Sequence, residues 1–277
     1  MLDTTFAGGI SDFSVCSAQS LHIQLPCQER NFDLDLEEAT EPLRAEFGRS
    51  TSETVGSLGF YIRILWIRYR ILKVTKEAVL SIGDEASHLP SEMKRLAVEL
   101  ADYEDALPTS LQYSERNMQL HAYSPQFGSY FLIHMWLRQC YCDLYRVVLT
   151  GLKEALGEDQ IRHLDPTVVR ALRRKCYEGA ERVSEFLGSV QIWKNRLAAS
   201  GCEIPLCAYQ CVRLLLRCYQ QREAIHDSIN PAMVQRLIRQ CLNAVETMPS
   251  KTPAGIRIVR VLPKHLEINI VNIIAGT

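Results

Sequence analysis

The chain has 277 residues, of which 47% are hydrophobic and 23% charged, and a formal net charge of −1. That length suffices to bury roughly 70 to 75% of the unfolded surface, and that composition excludes a mostly disordered tail. The near-zero charge gives the chain as a whole no pull toward a polyanion. No apolar run reaches the ~18 residues that cross a bilayer, because Arg63, Arg68 and Arg70 interrupt the richest stretch.

Asp3 stands early, and no basic segment precedes a continuous apolar run, so the start does not read as a signal peptide and an intracellular protein is expected. Up to about residue 50, Gly8, Gly9, Pro26 and Pro42 interrupt any helical period, which predicts a long loop packed on the domain surface. Over 54–79 apolar residues occupy nearly every face (Leu58, Phe60, Tyr61, Ile64, Leu65, Trp66, Ile67, Ile71, Leu72). This is the pattern of a central helix buried on several sides, with its arginines and lysines expected to snorkel to the surface.

Met93, Leu96, Ala97, Leu100, Tyr103 and Leu107 recur at three- and four-residue spacing, with Ser91 placed as N-cap and Pro108 beyond the end. Ser124 and Pro125 open a stripe of Phe127, Tyr130, Phe131, His134, Leu137, Tyr141, Leu144, Tyr145 and Val148, a helix running to about residue 152. The same start signal recurs at Asp165 and Pro166, ahead of Val169, Leu172, Cys176, Val183, Leu187 and Val190. It recurs again at Asn230 and Pro231, ahead of Val234, Leu237, Ile238, Cys241, Val245 and Met248, while Pro205 opens a helix through Leu206, Tyr209, Cys211, Val212, Leu215 and Tyr219. No alternation of strands with helices appears before residue 250. The expected fold is therefore all-α, an irregular domain of about six helices over 54–248 within one region 1–250. In the tail, 251–277, Ile256 with Ile258 and Leu266, Ile268 and Ile270 alternate like strands.

The ten cysteines contain no Cys-x2-Cys pair, so the hooks that usually bring two ligands to one zinc ion are missing. Cys207, Cys211 and Cys218 fall within about 40° of one another on a helix and read as small core residues. None of the seven histidines stands in a His-Glu-x-x-His arrangement, and His134 on its apolar face reads as a core residue hydrogen-bonded to backbone. Asp102, Glu104 and Asp105 form an acidic cluster that a magnesium-dependent helical enzyme such as a terpene cyclase could use. A second metal motif is missing, and a solvated helix end is the better reading. No Gly-x-Ser-x-Gly elbow, phosphate loop or dinucleotide fingerprint is present, so no catalytic, cofactor-binding or metal residue is assigned and the protein is not expected to be an enzyme. Arg170, Arg173, Arg174, Lys175 and Arg182 form the densest basic patch, read first as a solvated helix face.

Ile23, Leu25, Pro26, Cys27, Glu29 and Phe32, preceded by Leu2-Asp3 and by Phe6 to Gly9, resemble a segment of the middle homology region of fungal zinc-cluster transcription factors. There a helix ending in Leu-Asp leads into a loop and an I-x-L-P-C-x-E-x-x-F stretch. Two further segments match in order and spacing: Leu107, Pro108 and Leu111 with Asn117 and His121; then Ile133, His134, Met135, Trp136, Cys140, Tyr141, Cys142, Leu144, Tyr145 and Arg146. The resemblance covers residues 1 to about 150. Trp136 and Tyr145 depart from the usual pattern, so no ligand contact is carried over to them.

The resemblance implies a regulatory domain entered midway, without the zinc cluster, linker, dimerisation segment and first helices of the family. It implies zinc only in that missing N-terminal module, none in this chain, and a nuclear protein regulating RNA polymerase II transcription. Expected partners are the missing or separate DNA-binding module, other proteins or a small-molecule effector, with no direct nucleic-acid contact and no membrane. The alternative is a truncated helical interaction paralogue with no DNA role. Because the absent front half should pack against residues 60–72, that face is expected to lie exposed and to drive association.

Overall fold

The computed structural model describes residues 22–45, 54–81, 88–193, 195–197, 203–225 and 229–247. Residues 1–21 and the strand-like tail, 251–277, lie outside them, as do Cys16, Cys202 and Met248. The described chain is all-α, with no β-structure among the described residues beyond the isolated bridges Gln24 to Pro42 and Cys27 to Val55. It forms two compact units that divide between Leu164 and Asp165.

Unit 1 contains α1 (Glu29–Asp33), α2 (Ser57–Leu80), α3 (Leu89–Asp105), α4 (Glu115–His121), α5 (Phe127–Tyr145) and α6 (Glu158–Arg162). The apolar residues all round α2 find partners on several sides: α5 and α3 pack against it, and the segment 22–45 lies at its N-terminal end. Phe60, Ile64, Ile67, Ile71 and Leu72 are buried, so the expectation of an exposed face over 60–72 is overturned: the chain's own elements cover it. Leu89, Met93, Leu96, Leu100 and Tyr103 form the buried stripe of α3, whose Tyr103 hydroxyl donates to Phe60 O at 2.9 Å.

Two expected helix starts differ. Helix α3 begins at Leu89 with Pro90 in its first turn, and Ser91 donates its hydroxyl to His88 O instead of capping. Helix α5 begins at Phe127, not after Ser124, and ends at Tyr145, beyond which Arg146–Val148 tightens into a 3-10 turn. The loop expected up to residue 50 contains α1, and Leu25 and Leu43 from it reach the core.

The arginines of α2 do not all snorkel. Arg63 is 3% exposed and Arg68 7% exposed, because carboxylates meet them inside. Arg63 pairs with Glu41, and Arg68 Nε donates to Asp143 Oδ2 at 2.8 Å. Asp143, fully enclosed on α5, also meets Arg146 at 3.1 Å and accepts from Gln139 Nε2 at 3.0 Å. The Arg68 guanidinium lies 4.4 Å from the Trp136 ring centre. Burial alone would raise the Asp143 pKa, but Arg146 and Arg68 more than offset it and hold the carboxyl below its ordinary value.

Unit 2 contains α7 (Pro166–Ser189), α8 (Glu203–Gln220), α9 (Arg222–Ile225) and α10 (Pro231–Thr247). The two expected caps form: Asp165 accepts from Thr167 N at 2.7 Å, and Asn230 from Met233 N at 2.7 Å. Cys211 Sγ approaches Ala180 O at 3.0 Å, and Ser184 Oγ, fully buried, donates to Leu237 O at 2.7 Å, tying α7 to both neighbours. Cys176, Cys207, Cys211, Cys218 and Cys241 pack in this core as small apolar residues.

Candidate functional site

Two of the segments that carry the family resemblance, residues 23–32 and 107–121, meet in unit 1. The first is pinned to the start of α2. Gly56 N donates to Pro26 O at 3.1 Å, and Gln28 N donates to Thr54 O at 3.1 Å. Gly56, the N-cap position, offers no side chain, and a Cβ there would stand 2.2 Å from Cys27 O, so the backbones touch only because it is glycine. Glu29 supplies what Gly56 lacks: its Oε1 accepts from Ser57 Oγ and, at 3.3 Å, from Leu58 N. A carboxylate at this end of α2 also complements the helix dipole, which no acidic residue of the first turn does.

The second segment is a tight loop whose carbonyls are held by side chains. Leu111 N and Gln112 N donate to Pro108 O at 2.7 and 3.0 Å. Asn117 Nδ2 donates to Thr109 O and Gln112 O, both at 2.8 Å. His121 Nε2 donates to Ser110 O and His134 Nε2 to Leu111 O, both at 2.8 Å, while Tyr130 OH donates to Gln112 O at 3.2 Å. The acceptors are carbonyls, so both rings carry a proton on Nε2. Neither Nδ1 has a partner among the described residues, although both are buried.

The rings stack in series: His121 on Tyr130 with centroids 4.2 Å apart, and Tyr130 edge-on to His134 at 4.8 Å. Burial pushes the His134 pKa down to about 3, with the Arg138 guanidinium adding to the effect, so the imidazole is neutral at physiological pH. Burial likewise raises Tyr130 to about 12.

Between the two segments lies a recess of about 810 Å³. Gln28, Arg30, Thr109, Ser110, His121 and Gln126 give it a polar lining, and Val55, Pro108 and Leu111 an apolar one. Its size suits a small molecule, and its groups can orient a polar one by hydrogen bonds. Glu29, also in its wall, is committed to α2. A smaller recess of about 360 Å³ in the same unit is lined by Arg44, Arg63, Trp66, Arg70, Arg95, Glu99 and Asp102 among others. There Glu41 matches Arg63, Glu99 matches Arg70, and Glu92 matches Arg95 at 2.8 Å, so little charge is left for a ligand.

Asp102, Glu104 and Asp105 stand at the exposed end of α3, away from the larger recess. Among the described residues no three His, Cys, Asp or Glu side chains gather so that they could hold a metal ion. The sequence placed His134 correctly as a core residue bonded to backbone, but gave Asn117 and His121 no role. Their spacing of four on one helix, just after a proline turn with unsatisfied carbonyls, was the available signal.

A Zn(2)-C6 fungal-type transcription factor, FTF1c, of Fusarium oxysporum f. sp. lycopersici is 23% identical to the chain over 207 residues, which is 69% of this chain and 20% of that protein. The chain carries a region similar to a fungal zinc-cluster transcription factor. It spans about a fifth of that relative's length. No protein-family model and no solved structure matches the chain. No helix among the described residues is long and apolar enough to cross a membrane.

Proposed function

We propose that the chain is a regulatory, effector-responsive region of a fungal zinc-cluster transcription factor, corresponding to part of the middle homology domain and acting in the nucleus. The observation that carries this reading is the recess of about 810 Å³ walled by the two segments of the resemblance, with the transcription-factor relative as independent support. Both units, 22–164 and 165–247, are assigned to the one regulatory region. The partner is a DNA-binding module, and the role is regulatory rather than catalytic.

The mechanism is a shift of populations. A ligand in the recess touches both the segment that starts α2 and the loop that His121 and His134 hold, so it favours the arrangement in which the two are docked. It can change output only by its differential affinity for that arrangement, with coupling of the usual 1–3 kcal/mol giving roughly a 5- to 150-fold effect. Arg30 can meet an anionic group and Gln28, Ser110 and Gln126 can meet hydroxyls or amides, which points to a small polar effector with an apolar part against Val55 and Leu111.

The test is a fusion of the full chain to a heterologous zinc-cluster DNA-binding module with a reporter gene in a fungal host. Thr109→Trp, at an exposed position of the wall, fills the recess. The fusion should alter reporter output, and Thr109→Trp should change that output several-fold without lowering the melting temperature. A fusion that leaves the reporter at the level of the DNA-binding module alone would sink the reading.

A further inference from the structure

The turn that ends α1 leaves its apolar side chains in water. Phe32 is 77% exposed, Leu34 57% and Leu36 54%. Asp33, Asp35 and Glu37 alternate with them and are exposed as well, so residues 32–37 form a strip of three large apolar and three acidic groups. A lone exposed leucine is ordinary on a protein surface; three large apolar side chains within five positions form a patch. None of residues 32–37 lines the recess of about 810 Å³, so the strip stands apart from the effector reading.

The backbone holds the strip in place. Leu36 N donates to Asn31 O at 2.9 Å and Asp35 N to Phe32 O at 3.1 Å, the bond pair of a Schellman turn. Asp35, at φ 52°, takes the left-handed position that usually falls to glycine. Such a turn normally seats the residue in the Leu36 position on an apolar side chain of the helix's last turn, but those places belong to Asn31 and Arg30. Asn31 is engaged elsewhere, its Nδ2 donating to Glu38 Oε2 at 2.6 Å. Leu36 therefore keeps its exposure, and the Asn31 to Glu38 bond ties the two ends of the strip together.

Residues 28–41 contain six carboxylates against one cation, Arg30. Three of the six have work inside the fold: Glu29 accepts from Ser57, Glu38 from Asn31, and Glu41 pairs with Arg63. The side chains of Asp33, Asp35 and Glu37 meet no hydrogen-bond or ion-pair partner among the described residues. The acids that alternate with the exposed apolar groups are thus the ones the fold does not use.

We propose that the strip of residues 32–37 docks on another protein, its Phe32, Leu34 and Leu36 entering an apolar groove whose rim carries lysines or arginines that meet Asp33, Asp35 and Glu37. Charge complementarity selects this partner. Burying the three apolar side chains brings the three carboxylates out of water with them, which is favourable only where cations await them. A nucleic acid or an anionic lipid surface meets the strip with its own sign of charge, and a second copy docked face to face sets carboxylate against carboxylate. The clamped turn fixes the backbone of the strip before the partner arrives, so little ordering cost is left for binding.

The experiment is fluorescence anisotropy on the full chain with three labelled amphipathic peptides: one of leucine and lysine, one with the lysines replaced by glutamate, and one with the leucines replaced by serine. The leucine and lysine peptide should bind, more weakly as salt rises, and the other two at least about tenfold less tightly. Phe32→Ser with Leu36→Ser should weaken binding about tenfold or more, and Asp33→Asn with Asp35→Asn, which keeps a residue type that tolerates the left-handed position, about fivefold or more. Two double variants at exposed positions elsewhere in unit 1, Leu80→Ser with Val98→Ser and Glu104→Gln with Asp105→Asn, should each change it less than about twofold. All four should melt like the unsubstituted chain, because the side chains they alter lie in water. Failure of the leucine and lysine peptide to bind, equal binding of either altered peptide, equal losses in the variants placed elsewhere, or a lowered melting temperature for Phe32→Ser with Leu36→Ser would each overturn the proposal. So would a dimer of the chain that Phe32→Ser turns into a monomer, since the strip would then belong to a second copy.

Discussion

Asp143→Asn isolates the electrostatics of the unit 1 core. The substitution keeps the volume of the side chain and an acceptor for Gln139, but it removes the only charge that the enclosed Asp143 presents to Arg68 at 2.8 Å and Arg146 at 3.1 Å. Removing one member of a buried pair costs about 3–5 kcal/mol, because the remaining charge stays desolvated, and here two cations lose the same partner. The loss belongs in the upper part of that range, against a total stability of about 5–15 kcal/mol for an ordinary domain. Urea unfolding followed by tryptophan emission reads it, since Trp66 and Trp136 lie in unit 1 and only Trp193 in unit 2. The unit 1 midpoint should fall with little change in slope. Arg68→Met, Asp143→Leu and Arg146→Met together should cost much less than Asp143→Asn alone, because no charge is left buried. A cost below about 1 kcal/mol for Asp143→Asn would show that water screens the site and would refute the reasoning. The pH dependence follows with a definite sign. The folded pKa lies below the unfolded one, so the stabilisation is complete above the ordinary aspartate value of about 4 and is lost as pH falls through the folded value.

His134 gives acid sensitivity in a higher window. Its folded pKa of about 3 lies below its unfolded 6.5, so the unfolded chain binds more protons between these values and stability falls as pH drops through them, by an amount on the order of a few kcal/mol. His134→Gln, whose amide can still donate to Leu111 O, should flatten that slope in urea midpoints measured from pH 4 to 7; an unchanged slope would discount the buried neutral ring. Gly56→Ala should cost about 1–3 kcal/mol by thermal melting, since its Cβ meets a backbone oxygen that no rotamer change can move. Glu29→Gln should cost about 0.5–2 kcal/mol and raise amide exchange in the first turn of α2, and normal protection there would argue against the capping role.

The sequence made the long helices legible because their signals are local. Asp165 with Pro166 and Asn230 with Pro231 cap as their residue types demand, and the Met93, Leu96, Leu100 and Tyr103 stripe faces the core. What it hid was the fate of groups whose partners are distant. Arg63 and Arg68 resemble snorkelling arginines until Glu41 and Asp143, 22 and 75 residues away, are brought beside them. The recess was hidden for the same reason: Gln28 and Ser110 share a wall only through α2 and α5, and no periodicity encodes that meeting.

The two ends of α2 are finished by other parts of the chain. Glu29 closes its start, and Gln160 closes its finish by donating to Ala78 O at 3.1 Å and Ser81 O at 3.0 Å. During synthesis the first of these closures is available as soon as the helix forms, but the second waits for a residue 82 positions later than Ala78. The last turn of the central helix is therefore left frayed on the ribosome until α6 has been made. A stalled nascent chain ending before residue 160 should be cleaved by protease near Ser81, whereas one extended past it should not.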